Sequence, residues 1–173
     1  MVLSVKVLIT EERIRKRVSE LARVVAQDNP SGEIHVLFVL KGAFIFCADF
    51  IRALSKHEID ITVNYIIAKS YVGKESTGNV KSFMDVDVEN KEVLLIEDII
   101  DTGCTLRSLK EALMRMGPRS FKTLCLLDKP SKRQVNMEAD YVGFQIPDKF
   151  VVGYGLDWDE KFRYLPFVAE LEE

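Results

Sequence analysis

The sequence has 173 residues, of which 47% are hydrophobic and 29% charged, and it carries a formal net charge of -3 at pH 7. This length suits a single domain, residues 1–173, and the composition is that of a soluble globular protein, which excludes disordered and fibrous classes. The slight acidity excludes a general positive field of the kind that holds nucleic acid nonspecifically, so we expect no nucleic acid partner.

The cysteines and the hydropathy pattern indicate the compartment. The 3 cysteines are odd in number and none belongs to a CxxC pair, which argues against a disulfide framework and a zinc knuckle. The N-terminal residues lack the pattern of a secretory signal, and no apolar run is long enough to cross a membrane. These features predict a cytoplasmic protein that is not attached to a membrane.

In chain order, apolar residues follow two spacings. Residues 11–27 repeat apolar side chains at three- and four-residue steps, which predicts an amphipathic helix with Thr10 as its N-cap. The run IHVLFVL at 34–40 is apolar throughout and predicts a strand buried on both faces. The same two patterns predict further helices at 43–55 and from Gly103 to the Gly117-Pro118 terminator, and further strands at 61–68, 93–96 and 123–127.

This alternation predicts an α/β fold with a mostly parallel sheet that is covered by helices on both faces. The one long polar stretch rich in Gly and Ser, at 70–82, interrupts the alternation and predicts a mobile surface loop.

The run VLLIEDIIDTGCTL at 93–106 carries the strongest chemical signal. A buried strand is followed by Glu97 and Asp98, and a third acid, Asp101, precedes a Thr-Gly turn into the next helix. Ligand sites form at the carboxyl ends of strands in parallel sheets. An Asp-Thr-Gly string alone is more often a turn with a helix cap. Two adjacent acids after an apolar strand, followed by a third, have no packing role, so the longer run favours a ligand site.

The residue types in this run suit a sugar phosphate. Backbone N–H groups of residues 102–105, at the start of a helix, can bind a terminal phosphate, and the hydroxyls of Thr102 and Thr105 add donors. Three carboxylates would repel a bare phosphate, so they suit sugar hydroxyls, a divalent cation or a proton. The sequence has neither a Walker A motif nor a GxGxxG fingerprint, which weakens the kinase, NTPase and dinucleotide-binding alternatives.

The run at 93–106 resembles the phosphoribosyl pyrophosphate signature of type I phosphoribosyltransferases, and EDIIDTG is most similar to their hypoxanthine-guanine branch. The resemblance covers most of the chain. It implies the type I fold with a small hood formed by the terminal segments, and purine salvage by transfer of a phosphoribosyl group to hypoxanthine or guanine. Three further segments carry it in the family's order: Leu40-Lys41-Gly42, the loop with Ser70-Tyr71 and Ser76-Thr77-Gly78, and the tail IPDKFVVGYGLDWDEKFRYLP.

The resemblance assigns roles outside the signature. Leu40-Lys41-Gly42 corresponds to the loop that binds pyrophosphate, often with a cis peptide between its first two residues, and Arg163 corresponds to an arginine that faces the same group. Ser70 and Tyr71 lie in the family's flexible loop, which closes over the site and keeps water from the reactive sugar cation.

Within the signature, the resemblance implies that Glu97 and Asp98 hold the ribose hydroxyls directly or through Mg²⁺, and that Asp101 exchanges a proton with the purine. The 5′-phosphate is implied to lie among five consecutive residues, Asp101, Thr102, Gly103, Cys104 and Thr105. The thiol of Cys104 itself is interpreted as a packing group.

The purine site is also implied by the resemblance. Lys129 would donate a hydrogen bond to a 6-oxo group, Phe150 would stack on the base, and Val151 would offer backbone groups to its edge. Asp157 would border the purine and hold magnesium together with the two adjacent acids of the signature. On residue type alone, each position has an ordinary interpretation as a strand end, a core side chain or a turn residue.

Two functional alternatives remain open from the sequence. One is a xanthine-using 6-oxopurine phosphoribosyltransferase, because acceptance at the 2-position depends on the pocket shape near Val151 and Trp158. The other is an RNA-binding regulator on the same scaffold, since a fold does not fix a function, although the acidic composition counts against it. Resemblance implies a homodimer or homotetramer. His35 and His57 have no partner in a motif and are interpreted as structural.

Overall fold

A computed structural model of the protein describes residues 4–68, 82–83 and 86–172. The helices are α1 (Glu11–Gln27), α2 (Phe44–Leu54) and α3 (Cys104–Met114). The strands are β1 (Ser4–Ile9), β2 (Glu33–Leu40), β3 (Asp60–Ala68), β4 (Ser82–Phe83), β5 (Glu92–Ile100), β6 (Ser120–Asp128), β7 (Tyr141–Gln145), β8 (Val151–Val152) and β9 (Val168–Glu172). Every helix and strand predicted from the sequence is present.

The larger sheet has the strand order β4-β3-β2-β5-β6-β7. Its strands from β3 to β7 pair in parallel, and β4 at the edge pairs antiparallel with β3. The prediction of an α/β fold with a mostly parallel sheet is therefore confirmed. One boundary differs: β5 does not end before its acids, because Glu97, Ile99 and Ile100 continue to pair with β6.

Helices cover both faces of this sheet because its strands are apolar on both sides. Leu94 and Leu95 are neighbours on β5 and lie in different buried clusters, since successive strand side chains point to opposite faces. The cluster that contains Leu94 includes the apolar stripes of α1 and α2, whereas the cluster that contains Leu95 includes that of α3. Thr10 begins α1 as predicted, with its hydroxyl accepting a hydrogen bond from the Arg13 N–H at 3.3 Å.

The order in which the chain adds strands to the sheet reverses between the parallel neighbours β2 and β5. From β2 the chain passes through α2 to β3 on one side, and from β5 it passes through α3 to β6 on the other side. A crevice forms outside the carboxyl ends of the strands at such a switch point. The segments that follow β2 and β5 therefore face each other across a candidate ligand site.

The chain ends form a second, three-stranded antiparallel sheet in the order β1-β9-β8, which is the hood implied by the resemblance. The segment between β8 and β9 packs on the loop after β2, where a side chain at Gly155 would overlap the carbonyl oxygen of Gly42. Gly155 also has a φ of 100°, a conformation that favours glycine. No helix in the described residues is long and apolar enough to span a membrane.

Candidate active site

A cavity of about 280 Å³ lies at the switch point between β2 and β5. The residues of the predicted site that line it come from three distant parts of the chain: Leu40, Lys41, Gly42, Glu97, Asp98, Asp101, Thr102, Gly103, Thr105, Asp157 and Arg163. The fold thus brings together the predicted pyrophosphate loop, most of the acidic signature and part of the C-terminal tail.

The loop after β2 lies against the acids of β5. The peptide bond between Leu40 and Lys41 is cis. The next residue, Gly42, leaves the space that the Asp98 carboxylate fills, since a side chain there would overlap the carboxylate. The loop and the acid therefore share one wall of the cavity.

Glu97 and Asp98 form a tightly packed acidic pair. Glu97 is only 7% exposed, and burial, followed by the neighbouring Asp98 charge, raises its pKa well above the ordinary range. Burial also raises the pKa of Asp98, although hydrogen bonds and the positive charge of Arg163 oppose this shift. A buried and a half-buried acid with raised pKa values favour either a retained proton or a positive ligand.

The loop between β5 and α3 presents unpaired backbone donors. Gly103 is the N-cap of α3 with a φ of 84°, and as a glycine it has no side chain with which to cap the helix. The first N–H groups of a helix have no partner within it, so this end of α3 can bind an anion. The hydroxyl of Thr102 accepts a bond from the Cys104 N–H at 3.3 Å. Cys104 itself is half-buried and does not line the cavity.

Asp101 is held by its backbone and not by its side chain. Its carbonyl oxygen accepts a hydrogen bond from Nη1 of Arg133 at 2.8 Å. Among the described residues, its exposed carboxylate takes part in no hydrogen bond or ion pair. The carboxylate can therefore exchange a proton with a ligand in the cavity.

The C-terminal tail adds a cluster of charges beside the loop after β2. Arg163 pairs with Asp157 at 2.9 Å and donates to the Gly155 carbonyl at 2.7 Å. Its Nε is buried and has no hydrogen bond partner within the described residues. Glu160 lies 3.4 Å from Arg163 and 2.8 Å from Nζ of Lys41. The two predicted pyrophosphate cations therefore meet at one carboxylate.

Of the predicted purine residues, Asp157 lines this cavity, whereas Lys129, Phe150 and Val151 lie outside it. Lys129 directly follows β6 and is only 6% exposed; its Nζ is 3.9 Å from the Asp148 carboxylate. Phe150 is 55% exposed, and Val151 is buried in β8 of the hood. Ser70 and Tyr71 of the predicted flexible loop lie outside the described residues.

Three residues of the site carried no signal in the sequence: Asp128, Arg133 and Glu160. Each is a charged residue in or beside a loop, where charge is ordinary. Arg133 contacts Asp101 and Glu160 contacts Lys41, both distant in sequence, so only tertiary contacts identify these two residues. Asp128 is identified by its pair with Arg133. Glu160 has one indirect structural mark, a left-handed φ of 62° that residues other than glycine seldom adopt.

Comparisons with known proteins identify the family to which the chain is similar. A model of the phosphoribosyl transferase domain matches residues 6–159. The hypoxanthine-guanine phosphoribosyltransferase of Aquifex aeolicus is 44% identical over 97% of this chain and 95% of that protein. The hypoxanthine phosphoribosyltransferase of Escherichia coli K12 is 41% identical over 97% of this chain and 96% of that protein.

Solved structures agree with these relatives. A hypoxanthine-guanine phosphoribosyltransferase of Bacillus anthracis superposes with a TM-score of 0.91 at 44% identity, covering 99% of this chain and 100% of that one. The hypoxanthine phosphoribosyltransferase of Trypanosoma cruzi in complex with the product IMP gives a TM-score of 0.91 at 39% identity, covering 96% and 94%. The chain belongs to the hypoxanthine-guanine phosphoribosyltransferase family, as its resemblance predicted.

Proposed function

We propose that this protein is a purine salvage enzyme that transfers the 5-phosphoribosyl group of phosphoribosyl pyrophosphate to N9 of hypoxanthine or guanine, releasing IMP or GMP and pyrophosphate. The observation that carries the proposal is the single cavity that joins the acid pair of β5, the N-terminus of α3 and the cations Lys41 and Arg163. These groups match the hydroxyls, the 5′-phosphate and the pyrophosphate of one donor molecule.

The two anionic ends of the donor have separate binding groups. Backbone N–H groups from Thr102 to Thr105 and the two threonine hydroxyls suit the 5′-phosphate, which the positive end of α3 also attracts. The loop Leu40-Lys41-Gly42 and the guanidinium of Arg163 suit the pyrophosphate, and the unpaired Nε of Arg163 is a donor for one of its oxygens.

The acidic residues fit a magnesium ion that arrives with the donor. Glu97, Asp98 and Asp157 offer only oxygen ligands, and burial of the first two calls for a positive charge. Within the described residues, no group of three or more such side chains is placed to hold a metal ion alone. Magnesium commonly uses one or two carboxylates with water and substrate oxygens. When bound, it would neutralise the charge that develops on the leaving pyrophosphate.

Proton transfer and charge stabilisation fall to the three acids. Positive charge develops on the ribose as pyrophosphate leaves, and the carboxylates of Glu97 and Asp98, which line the cavity, stabilise that charge. Asp101 takes a proton from the imidazole ring of the purine while N9 attacks C1′, since its carboxylate is exposed in the cavity.

The base site lies beside the cavity. Lys129 donates to the 6-oxo group, because its contact with Asp148 at 3.9 Å is too long for a hydrogen bond and leaves its donors available. The exposed ring of Phe150 stacks on the purine, and the backbone of Val151 meets its edge.

We also infer that the chain acts in the cytoplasm as a homodimer or homotetramer. Val63, Tyr65 and Ile67 alternate along one face of β3 and are 43%, 50% and 37% exposed. A contiguous exposed apolar patch favours association with another chain. Sedimentation equilibrium of the wild type and of Tyr65→Glu tests this, and a wild type that stays monomeric would contradict it.

The test of function is nucleotide formation from phosphoribosyl pyrophosphate, Mg²⁺ and each of hypoxanthine, guanine, xanthine and adenine. We expect IMP from hypoxanthine and GMP from guanine, with one pyrophosphate released for each nucleotide formed. We expect no product when EDTA is in excess over Mg²⁺. Absence of product from both hypoxanthine and guanine would overturn the proposal. A faster reaction with xanthine than with either base would reassign the acceptor.

A further inference from the structure

One arginine outside the predicted site joins two of its loops. Arg133 follows the short 3-10 turn Pro130–Lys132. Its Nη1 donates to the carbonyl oxygen of Asp101 at 2.8 Å, and its Nη2 pairs with the carboxylate of Asp128. The side chains of Arg133 and Asp128 are only 15% and 9% exposed. This pair is therefore shielded from water, unlike the surface pairs that contribute little.

The two groups that Arg133 binds belong to different halves of the site. Asp101 directly follows β5 and is the proposed proton-transfer residue. Asp128 is the last residue of β6 and directly precedes Lys129, the proposed purine-binding lysine. A single guanidinium thus links the segment that carries the proposed proton-transfer residue to the segment that carries the proposed purine-binding lysine.

The backbone on both sides of Arg133 is hydrogen-bonded to the end of β5 and the loop that follows it. The Lys129 N–H donates to the Ile100 carbonyl at 2.9 Å, and the Gln134 N–H donates to the Thr102 carbonyl at 2.9 Å. The stem of Arg133 also packs under Gly103, where a side chain would lie 2.9 Å from its Cδ. The segment around Arg133 therefore packs against the loop between β5 and α3 and is hydrogen-bonded to it.

We propose that Arg133 is a positioning residue that places Asp101 relative to the purine by bridging the Asp101 carbonyl and the Asp128 carboxylate. This inference rests on the proposed function. Arginine suits the role because its planar fork reaches two acceptors at once, whereas a lysine ammonium in the same space satisfies one. Removing the arginine alone also strands a buried carboxylate, which would destabilise the fold for a reason unrelated to positioning.

The variants must therefore separate stability from position. Arg133→Met combined with Asp128→Asn removes the guanidinium without leaving a buried charge, so the protein should fold. Arg133→Lys should also fold, since its ammonium can pair with Asp128, but it should lose the bond to Asp101. Arg107→Met is the matched control, because Arg107 is an exposed arginine on α3 whose partner Glu111 is 3.9 Å away.

For both folded variants we expect kcat to fall about 10- to 100-fold, the scale of a misplacement of ~1 Å, with the KM for phosphoribosyl pyrophosphate changed less than about threefold. Arg107→Met should match the wild type. Folding is checked by thermal unfolding. Wild-type turnover in Arg133→Lys or in the double variant would overturn the inference.

Combination with Asp101→Asn gives the decisive readout. If Arg133 acts through Asp101, the two losses overlap, and the combined variant is little slower than Asp101→Asn alone. Losses that multiply fully would overturn the positioning role. A wild-type rate for Asp101→Asn alone would contradict the proposed proton transfer instead, so the two failures are distinguishable.

Discussion

Gly42 lies directly against the carboxylate of Asp98, so that any side chain at Gly42 would overlap it. Gly42 in turn touches the tail, because a side chain at Gly155 would overlap the Gly42 carbonyl. The loop after β2, Asp98 and the C-terminal tail are therefore in close contact, with no room for a side chain at Gly42 or Gly155. The Asp98 carboxylate can therefore occupy its position only because residue 42 is a glycine.

Gly42→Ala should displace the Asp98 carboxylate and lower kcat/KM by about 100-fold, the scale associated with a misplacement of ~1 Å. Overpacking should also cost about 1–3 kcal/mol of unfolding free energy. Gly42 does not have a positive φ, so the effect is steric. Gly42→Ala combined with Asp98→Ala should recover the thermal stability but not the activity. A double variant as unstable as Gly42→Ala would show that the overlap with Asp98 is not the cause.

Asp101→Asn should lower kcat by about 10²- to 10⁴-fold, the usual contribution of a general base. The KM for phosphoribosyl pyrophosphate should change only a few-fold, because the carboxylate is not one of the groups that hold the phosphate. Thr105→Val is the contrasting variant, since it removes a phosphate donor and should raise that KM by up to about tenfold with a smaller effect on kcat. Steady-state kinetics of both variants test this prediction. Unaltered turnover in Asp101→Asn would refute the proton-transfer role.

Glu160→Gln should strengthen binding of pyrophosphate. Glu160 holds Lys41 at 2.8 Å and Arg163 at 3.4 Å, and its pKa is lowered first by the hydrogen bond from Lys41, so it is ionised and competes for the cations that face pyrophosphate. Because the Lys41 pair is exposed, we expect at most about a fivefold decrease in the inhibition constant of pyrophosphate, shrinking at high salt. Glu111→Gln on α3 is a control of the same chemistry. Weaker binding in Glu160→Gln would contradict this competition.

His35 should make the fold less stable in acid. Its Nδ1 lies 2.6 Å from the Thr62 hydroxyl and its Nε2 is buried without a partner among the described residues, while burial, with a smaller effect of Lys91, lowers its pKa. A folded pKa below the unfolded value of about 6.5 means that the unfolded state binds the proton more tightly. The stability it contributes is complete above that value and is lost as the pH falls through the lower, folded pKa.

Urea unfolding of the wild type and two variants between pH 5 and pH 8 checks this. His35→Gln should flatten the decline in unfolding free energy below about pH 6.5. His57→Gln should leave the decline as it is, because the exposed His57 side chain stays in contact with water in the folded protein. An unchanged slope in His35→Gln would remove His35 as the cause.

The sequence alone determined the elements and the chemistry that depend on neighbouring residues. Apolar spacing within 11–27 and within 34–40 fixed α1 and β2, because a helix and a buried strand each need only a local repeat. The run 93–106 likewise carried its acids and its turn in consecutive positions, and it predicted both the site at the end of β5 and the family.

Only the tertiary structure decided which charges meet and how closely. β5 continues through Glu97 because β6 supplies hydrogen bonds there, which no pattern within β5 encodes. Arg133 reaches Asp101, and Glu160 reaches Lys41, across loops that are far apart in the chain. Contacts of this kind depend on how strands are ordered and loops are packed, whereas sequence periodicity specifies only the face on which a residue lies.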